Sequence, residues 1–222
     1  MEKEGQEEAL PVQNGEAQAE RAVETETAEE NAAQSAANTK KNKVKEIFSA
    51  KKIATMGVMT ALSFVVSLLS FPIFPATSFL KLDFGNVFIM LTGFLFGPVE
   101  GIIVCVLKEA LRIPLGTSGG IGELANMIIT CAYLILPATV YRYKKGLKVV
   151  ILCLIAATLI TTAVSLPVNR YINFPLFVHE AAGEYFAKLW YFVLLFNLIK
   201  AVIISVVTCL LYKTLSKLLK KF

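Results

Sequence analysis

The chain has 222 residues, 55% of them apolar and 18% charged, with a mean hydropathy of +0.62 and a formal net charge of +5. A soluble domain of this size carries more polar surface, so the composition excludes an ordinary water-soluble fold and points to a bilayer. The charge is also split: residues 1–39 hold ten glutamates against Lys3 and Arg21, whereas residues 40–222 hold twenty Lys and Arg against seven Asp and Glu.

Residues 1–39 contain no aromatic side chain. They cannot bury enough apolar area to offset roughly 1–2 kcal/mol of backbone entropy per residue, so a disordered acidic tail is expected there. The segment has no apolar stretch of the kind a secretory signal needs. Residues 40–52 follow as a basic flank with six lysines.

A hydrocarbon core of about 30 Å takes about 20 helical residues. The first apolar run, 53–70, ends at Phe71-Pro72-Ile73-Phe74-Pro75, whose prolines cannot donate helical N–H bonds. The second, 84–110, is interrupted at Gly93 and Gly97-Pro98, while 121–141, 149–167 and 189–212 are continuous. Basic clusters sit before the first run, at Arg142, Lys144, Lys145 and Lys148, and at Lys213, Lys217, Lys220 and Lys221. The positive-inside rule puts all three in the cytoplasm, which requires four crossings before the middle cluster. Splitting the second run at Gly97-Pro98 supplies them. The expected fold is therefore an all-α integral membrane protein with six transmembrane helices, N-in and C-in. Its parts are the disordered acidic tail (1–39), a basic cytoplasmic flank (40–52), a six-helix membrane domain (53–212) and a basic cytoplasmic C-terminus (213–222). The longer loops 71–83, 112–120 and 168–188 then fall on the extracellular side, where binding chemistry tends to gather.

Several polar residues stand where lipid disfavours them. Lys200 is central in the last run, a placement that costs about 2.5–3.5 kcal/mol on insertion scales and therefore asks for a ligand or a buried partner. Asn197 is three residues earlier, on the same helical face, and an amide beside an ammonium suits a planar ligand with alternating donors and acceptors. Asn169, just past Pro167, is placed to bring a second amide, or else to end a helix. Glu123 and Asn126 follow Gly119-Gly120 at the start of the 121–141 run, as first-turn charge and deeper polar group. Glu100, Glu109 and Arg112 read as interfacial or structural, with Lys108 the exception most open to a site role. Gly57 and Ala61, with Ala54 a turn before, make a small-residue face that either packs internally or docks another membrane protein. Cys105, Cys131, Cys153 and Cys209 lie in separate apolar runs without metal spacing, and His179 stands alone. No phosphate-cradling loop or nucleophile with its base is present, so neither an enzyme nor an ATPase is expected. The lysine clusters flank apolar runs without an aromatic platform, so no nucleic-acid partner is expected.

Four stretches together resemble the substrate-binding S components of energy-coupling-factor vitamin transporters, over about residues 50–215. They are Phe79-Leu80-Lys81-Leu82-Asp83-Phe84, Gly93-Phe94-Leu95-Phe96-Gly97-Pro98-Val99-Glu100-Gly101, Gly119 through Asn126, and Phe196-Asn197-Leu198-Ile199-Lys200. Within that family the riboflavin-binding type is the most similar. The resemblance implies high-affinity capture of riboflavin at the extracellular face, as the substrate-binding subunit of an ATP-driven transporter in the cell membrane. Its partners would be a transmembrane coupling protein and two cytoplasmic ATPases, with riboflavin as cargo and no cofactor. Asn169, Asn197 and Lys200 fall on the family's binding pattern. Asn126 joins them as a candidate ligand contact, and Phe74, Phe79 and Leu80 match a lid formed by the 71–83 loop. Ala54, Gly57 and Ala61 are the candidate docking face for the coupling protein. The acidic tail is not part of the family pattern, and the family's alanine-every-fourth face appears here as Ala54, Val58 and Leu62 or as Gly57 and Ala61. Another vitamin or a purine-like substrate is the alternative ligand, and a non-transport membrane adaptor is the alternative class.

Overall fold

The computed structural model describes residues 50–116 and 119–219. The expected acidic tail over 1–39, nearly all of the basic flank over 40–52, and Lys220, Lys221 and Phe222 lie outside the described residues.

Helix α1 spans Ala50–Ser67 and closes with tight i to i+3 bonds from Leu68, Leu69 and Ser70 to Val65, Val66 and Ser67. The loop beyond it pairs as a short antiparallel ribbon, β1 (Phe71–Pro72) with β2 (Lys81–Leu82), in the register Phe71 opposite Leu82. A single 3-10 turn, Pro75–Thr77, lies between the two strands. Helices α2 (Asn86–Phe96) and α3 (Pro98–Arg112) follow, then α4 (Ile121–Tyr143) and α5 (Leu147–Val168). A π-helical turn, Asn169–Asn173, carries α5 into the five-residue α6 (Phe174–Val178), and α7 runs from Ala182 to Leu219.

The break expected at Gly97-Pro98 is present: Gly97 has φ +120°, a left-handed conformation that suits glycine, and Pro98 opens α3 where its missing N–H costs nothing. The count of six transmembrane helices is overturned. Among the described residues, four helical stretches are long and apolar enough to cross a bilayer: Ala50–Ser67, Ile121–Tyr143, Leu147–Val178 and Ala182–Lys213. Helix α2 has 11 residues, about 16 Å at 1.5 Å per residue, well short of a bilayer core of about 30 Å. Helix α3 has 15 residues and carries Glu100, Lys108, Glu109 and Arg112. The parity argument assigned a full crossing to each half of the broken run, which neither half can supply. With the count goes the N-in, C-in assignment that rested on it. What stands is an all-α, multi-pass membrane protein with a two-strand ribbon as the only sheet among the described residues.

Helix α5 packs along both α4 and α7, and α2 lies against α3, α4 and α7. The main core gathers Val87, Met90, Leu91 and Phe94 of α2 with Val104 of α3, Leu134 of α4, Leu154 of α5 and Ile204 of α7. A second cluster joins Leu80 of the ribbon to Phe174 of α6 and to Phe186, Val193 and Phe196 of α7. Helix α1 is different: only 17% of its apolar window is buried, against 39–44% for the other three spans. Its inward stripe is Met56, Thr60, Ser63 and Ser67, and Ser63 Oγ donates to the Gly85 carbonyl at 2.8 Å.

Gly93 fixes how closely α2 approaches α4, since a Cβ there would stand 2.5 Å from Leu134 Cδ1 and 3.0 Å from the Ala138 methyl. Gly93→Ala is expected to destabilise the protein by about 1–3 kcal/mol through overpacking. Thermal unfolding in detergent should show a lowered midpoint for this variant, and a second change, Leu134→Val, should recover part of the loss.

Candidate functional site

The elements converge on a cavity of about 310 Å³ bounded by the ribbon, α3, α4, the π turn, α6 and α7. Its apolar side is formed by Phe79 and Leu80 of the loop, Ala125 and Ile129 of α4, Phe177 of α6 and Phe196 of α7. Phe79 stacks on Phe177 with ring centroids 5.3 Å apart, and meets Phe174 edge-on at the same distance. Flat aromatic surface therefore closes one side of the space, as a planar ligand requires.

The cavity wall also carries members of a buried ionic relay. Lys108, 0% exposed, donates from Nζ to Asp83 Oδ2 and, at 2.6 Å, to Glu109 Oε1. Asn126 Nδ2 donates to the same Glu109 oxygen, and Lys200 Nζ donates to Asn126 Oδ1 at 2.5 Å. Arg112 lies 3.5 Å from Asp83 Oδ2 and donates to the Ser67 carbonyl at 2.6 Å and to Ser70 Oγ at 3.2 Å, so the end of α1 is tied to the same relay. Burial alone would raise the Asp83 carboxyl, but Lys108, with help from Lys200 and Arg112, outweighs it and holds the group below its ordinary value. Lys200 thus resides deep in α7 without a direct carboxylate contact. An amide oxygen holds it, its Nζ lies 5.9 Å from the Phe196 ring centroid, and it remains on the cavity wall.

Of the ligand residues expected from sequence, Asn126, Asn169, Asn197, Lys200, Phe79 and Leu80 all line this cavity. Phe74 does not; it packs on Phe192 with centroids 5.5 Å apart, behind the wall. Asn197 and Asn169 are oriented by their own helices, Asn126 by its partners on α3 and α7. Asn197 Nδ2 donates to the Val193 carbonyl at 2.9 Å, which leaves its own carbonyl oxygen for the cavity. Asn169 Nδ2 donates to the Ser165 carbonyl and its Oδ1 accepts from Asn173 Nδ2, both at 2.8 Å. Ala54, Gly57 and Ala61 lie away from the cavity, exposed on α1.

Sequence reasoning missed Asp83, Glu109, Arg112, Asn173 and Phe177 as cavity residues. Of the interfacial or structural roles expected for Glu109 and Arg112, the structure favours the structural one: Glu109 is 3% exposed and Arg112 reaches back to Asp83. A signal existed for Glu109, because one carboxylate adjacent to a lysine in an apolar helix is cheaper to bury than either charge alone. Among the described residues, no group of three His, Cys, Asp or Glu side chains could hold a metal ion.

The model of the family described as ECF transporter, substrate-specific component, matches residues 51–212. The chain belongs to that family. It is a transport component, not an enzyme. The riboflavin transporter RibU of Staphylococcus aureus (strain TCH60) is 32% identical over 176 residues, covering 77% of this chain and 93% of its own length. The riboflavin transporter FmnP of Bacillus subtilis (strain 168) is 28% identical over 171 residues, covering 73% and 90%. A solved structure of the S component of a bacterial ECF transporter superposes with a TM-score of 0.69 at 32% identity, covering 77% of this chain and 98% of that one.

The relay leads to a clear expectation for stability. Lys108→Met leaves Asp83 and Glu109 buried without their shared cation and should cost about 3–5 kcal/mol. Adding Asp83→Asn and Glu109→Gln to the same chain should return most of that loss. Thermal unfolding of the single and triple variants in one detergent measures both effects.

Proposed function

We propose that the cavity is a riboflavin site and that the chain captures riboflavin from outside the cell for ATP-driven uptake. The observation that carries this reading is that Lys200, Asn197 and Asn126 line one cavity together with the stacked pair Phe79 and Phe177. Riboflavin has a flat, largely apolar tricyclic ring, an imide edge with two carbonyls and one N–H, and a polyhydroxyl ribityl chain. The aromatic side accepts the ring, Lys200 donates to a carbonyl or ribityl oxygen, and the carbonyl of Asn197 accepts from the ligand. The two relatives named riboflavin transporters, matched over most of their length, support the same ligand. The cavity wall carries three carboxylates, Asp83, Glu109 and Glu123, and three cations, Lys81, Arg112 and Lys200, with Lys108 buried behind Asp83 and Glu109, so the site has no large formal charge excess and suits an uncharged ligand.

Under this reading Asn126, Asn169, Asn197 and Lys200 contact the ligand, while Phe79 and Leu80 close over it from the ribbon. Phe74 braces the loop from behind through Phe192. Membership of the family implies a coupling protein and ATPase subunits. The surface proposed for the coupling protein is the exposed face of α1 around Ala54, Gly57 and Ala61. A Cβ built at Gly57 meets nothing within 4 Å, so this chain leaves room there for another helix.

Lys200→Ala should weaken riboflavin binding by about 2–4 kcal/mol, because a charge-assisted hydrogen bond is lost inside a closed site. Isothermal titration of the purified protein measures the change, and an unaltered dissociation constant removes Lys200 from the site. Gly57→Leu should leave riboflavin titration and thermal unfolding of the isolated chain unchanged. Its effect should appear in proteoliposomes containing the coupling protein and ATPases, where ATP-dependent riboflavin accumulation should fall at least tenfold.

A further inference from the structure

The amides of the π turn form a hydrogen-bond chain whose direction is fixed at one end. The Ser165 carbonyl can only accept, so the Asn169 atom 2.8 Å from it is the Nδ2 donor. Asn169 therefore turns its Oδ1 toward Asn173, and an oxygen there demands a donor, which sets Asn173 Nδ2 at 2.8 Å. Neither amide can flip without placing two acceptors or two donors face to face. What is left over is Asn173 Oδ1. The residue is 2% exposed and lines the cavity, and this oxygen has no hydrogen-bond partner.

A buried carbonyl without a donor costs about 1–3 kcal/mol, which a bound molecule recovers only by bringing an N–H or O–H to it. We infer that Asn173 is a specificity-determining residue that accepts a hydrogen bond from a donor on the bound ligand, while Asn169 holds it in that orientation. The inference rests on the riboflavin reading above and gives the π turn a part in it. Phe177 follows Asn173 by four residues and stacks on Phe79, so Asn173 stands one turn from the aromatic part of the cavity wall. A flat ring lodged there offers one N–H, the imide, whereas the ribityl chain offers only hydroxyls. Ligands without a donor at the matching position would leave the carbonyl orphaned and be rejected, which apolar packing alone cannot achieve.

The test uses the full chain purified in detergent, with binding followed by quenching of flavin fluorescence. Two variants separate the acceptor from its support. Asn173→Ala removes both groups of the amide, and Asn173→Thr keeps a hydroxyl to donate to Asn169 while removing the carbonyl. Each should weaken riboflavin binding about 10- to 100-fold, the loss expected for an unpaired buried group. Repeating the titrations with 3-methylriboflavin, which lacks the imide N–H, and with lumiflavin, which lacks the ribityl hydroxyls, identifies the donor. If the imide is the donor, wild type and variants bind 3-methylriboflavin equally and still differ for lumiflavin. Equality for lumiflavin instead keeps the acceptor role and assigns the donor to the ribityl chain. Variants that bind riboflavin within twofold of wild type, or that lose the same factor for all three flavins, overturn the inference and leave the riboflavin site standing. A wild-type chain that binds none of the three overturns both.

Discussion

A lysine with no access to water has to be surrounded by groups that replace its hydration, and Lys108 meets that demand by drawing on several segments at once. Asp83 comes from the stretch between the ribbon and α2, Glu109 from its own helix, and the Asn86 side-chain oxygen from the first turn of α2 at 3.4 Å. Through Glu109 the demand passes to Asn126 on α4, and through Asn126 to Lys200 on α7. Such a cluster is a poor source of net stability, since desolvation cancels most of the attraction. Its effect is on position: few backbone arrangements satisfy every member, so the cavity residues Asp83, Glu109, Asn126 and Lys200 and the two short helices are fixed together. The tight packing of Gly93 on Leu134 then sets how far α2 can stand from α4.

Much of this was legible in the sequence, and the division follows the range of each physical signal. Helix positions are local properties of apolar runs and their breakers, so the first two long spans and the break at Gly97-Pro98 emerge near their observed limits, whereas the loop expected over 168–188 is helical through Val178 and again from Ala182. The pair Asn197 and Lys200 is local too, because a three-residue offset on one helix fixes a shared face. The number of crossings was not legible, because it was inferred from the placement of basic clusters, and a charge pattern says nothing about whether 11 residues can traverse lipid. Nor was the relay, since Asp83 is 25 positions from Lys108 and nothing in either neighbourhood announces the other. Asn173 was hidden for a third reason: it reads as part of a loop, whereas the chain stays helical through it.

Helix α1 is held unlike its neighbours. Its inward contacts are Met56, small hydroxyls, the Lys52–Glu100 ion pair and the Arg112 guanidinium at its end, while Val58, Leu62 and Val65 are more than two-fifths exposed. In a bilayer those residues meet lipid as readily as protein, so little apolar free energy is spent on keeping the helix against its own bundle. The ribbon that carries Phe79 and Leu80 hangs from the same helix, and Arg112 joins the end of α1 to the wall of the cavity. The face proposed for partner docking and the loop that closes the cavity are therefore parts of one segment.

The π turn at Asn169–Asn173 has a bearing on how this protein can change over evolutionary time. A turn of that width has one residue more than the α-helical count, and every side chain beyond it is rotated by about 100° relative to an uninterrupted helix. Phe174 and Phe177 meet Phe79 in that rotated frame. Point substitutions within the turn alter one contact each, whereas loss or gain of a single residue there would re-phase all of α6 and part its aromatic rings from the loop. Tolerance to change along this stretch is thus a matter of length before it is a matter of identity, and descendants free to vary their amides would still have to conserve the number of residues between Ser165 and Phe177.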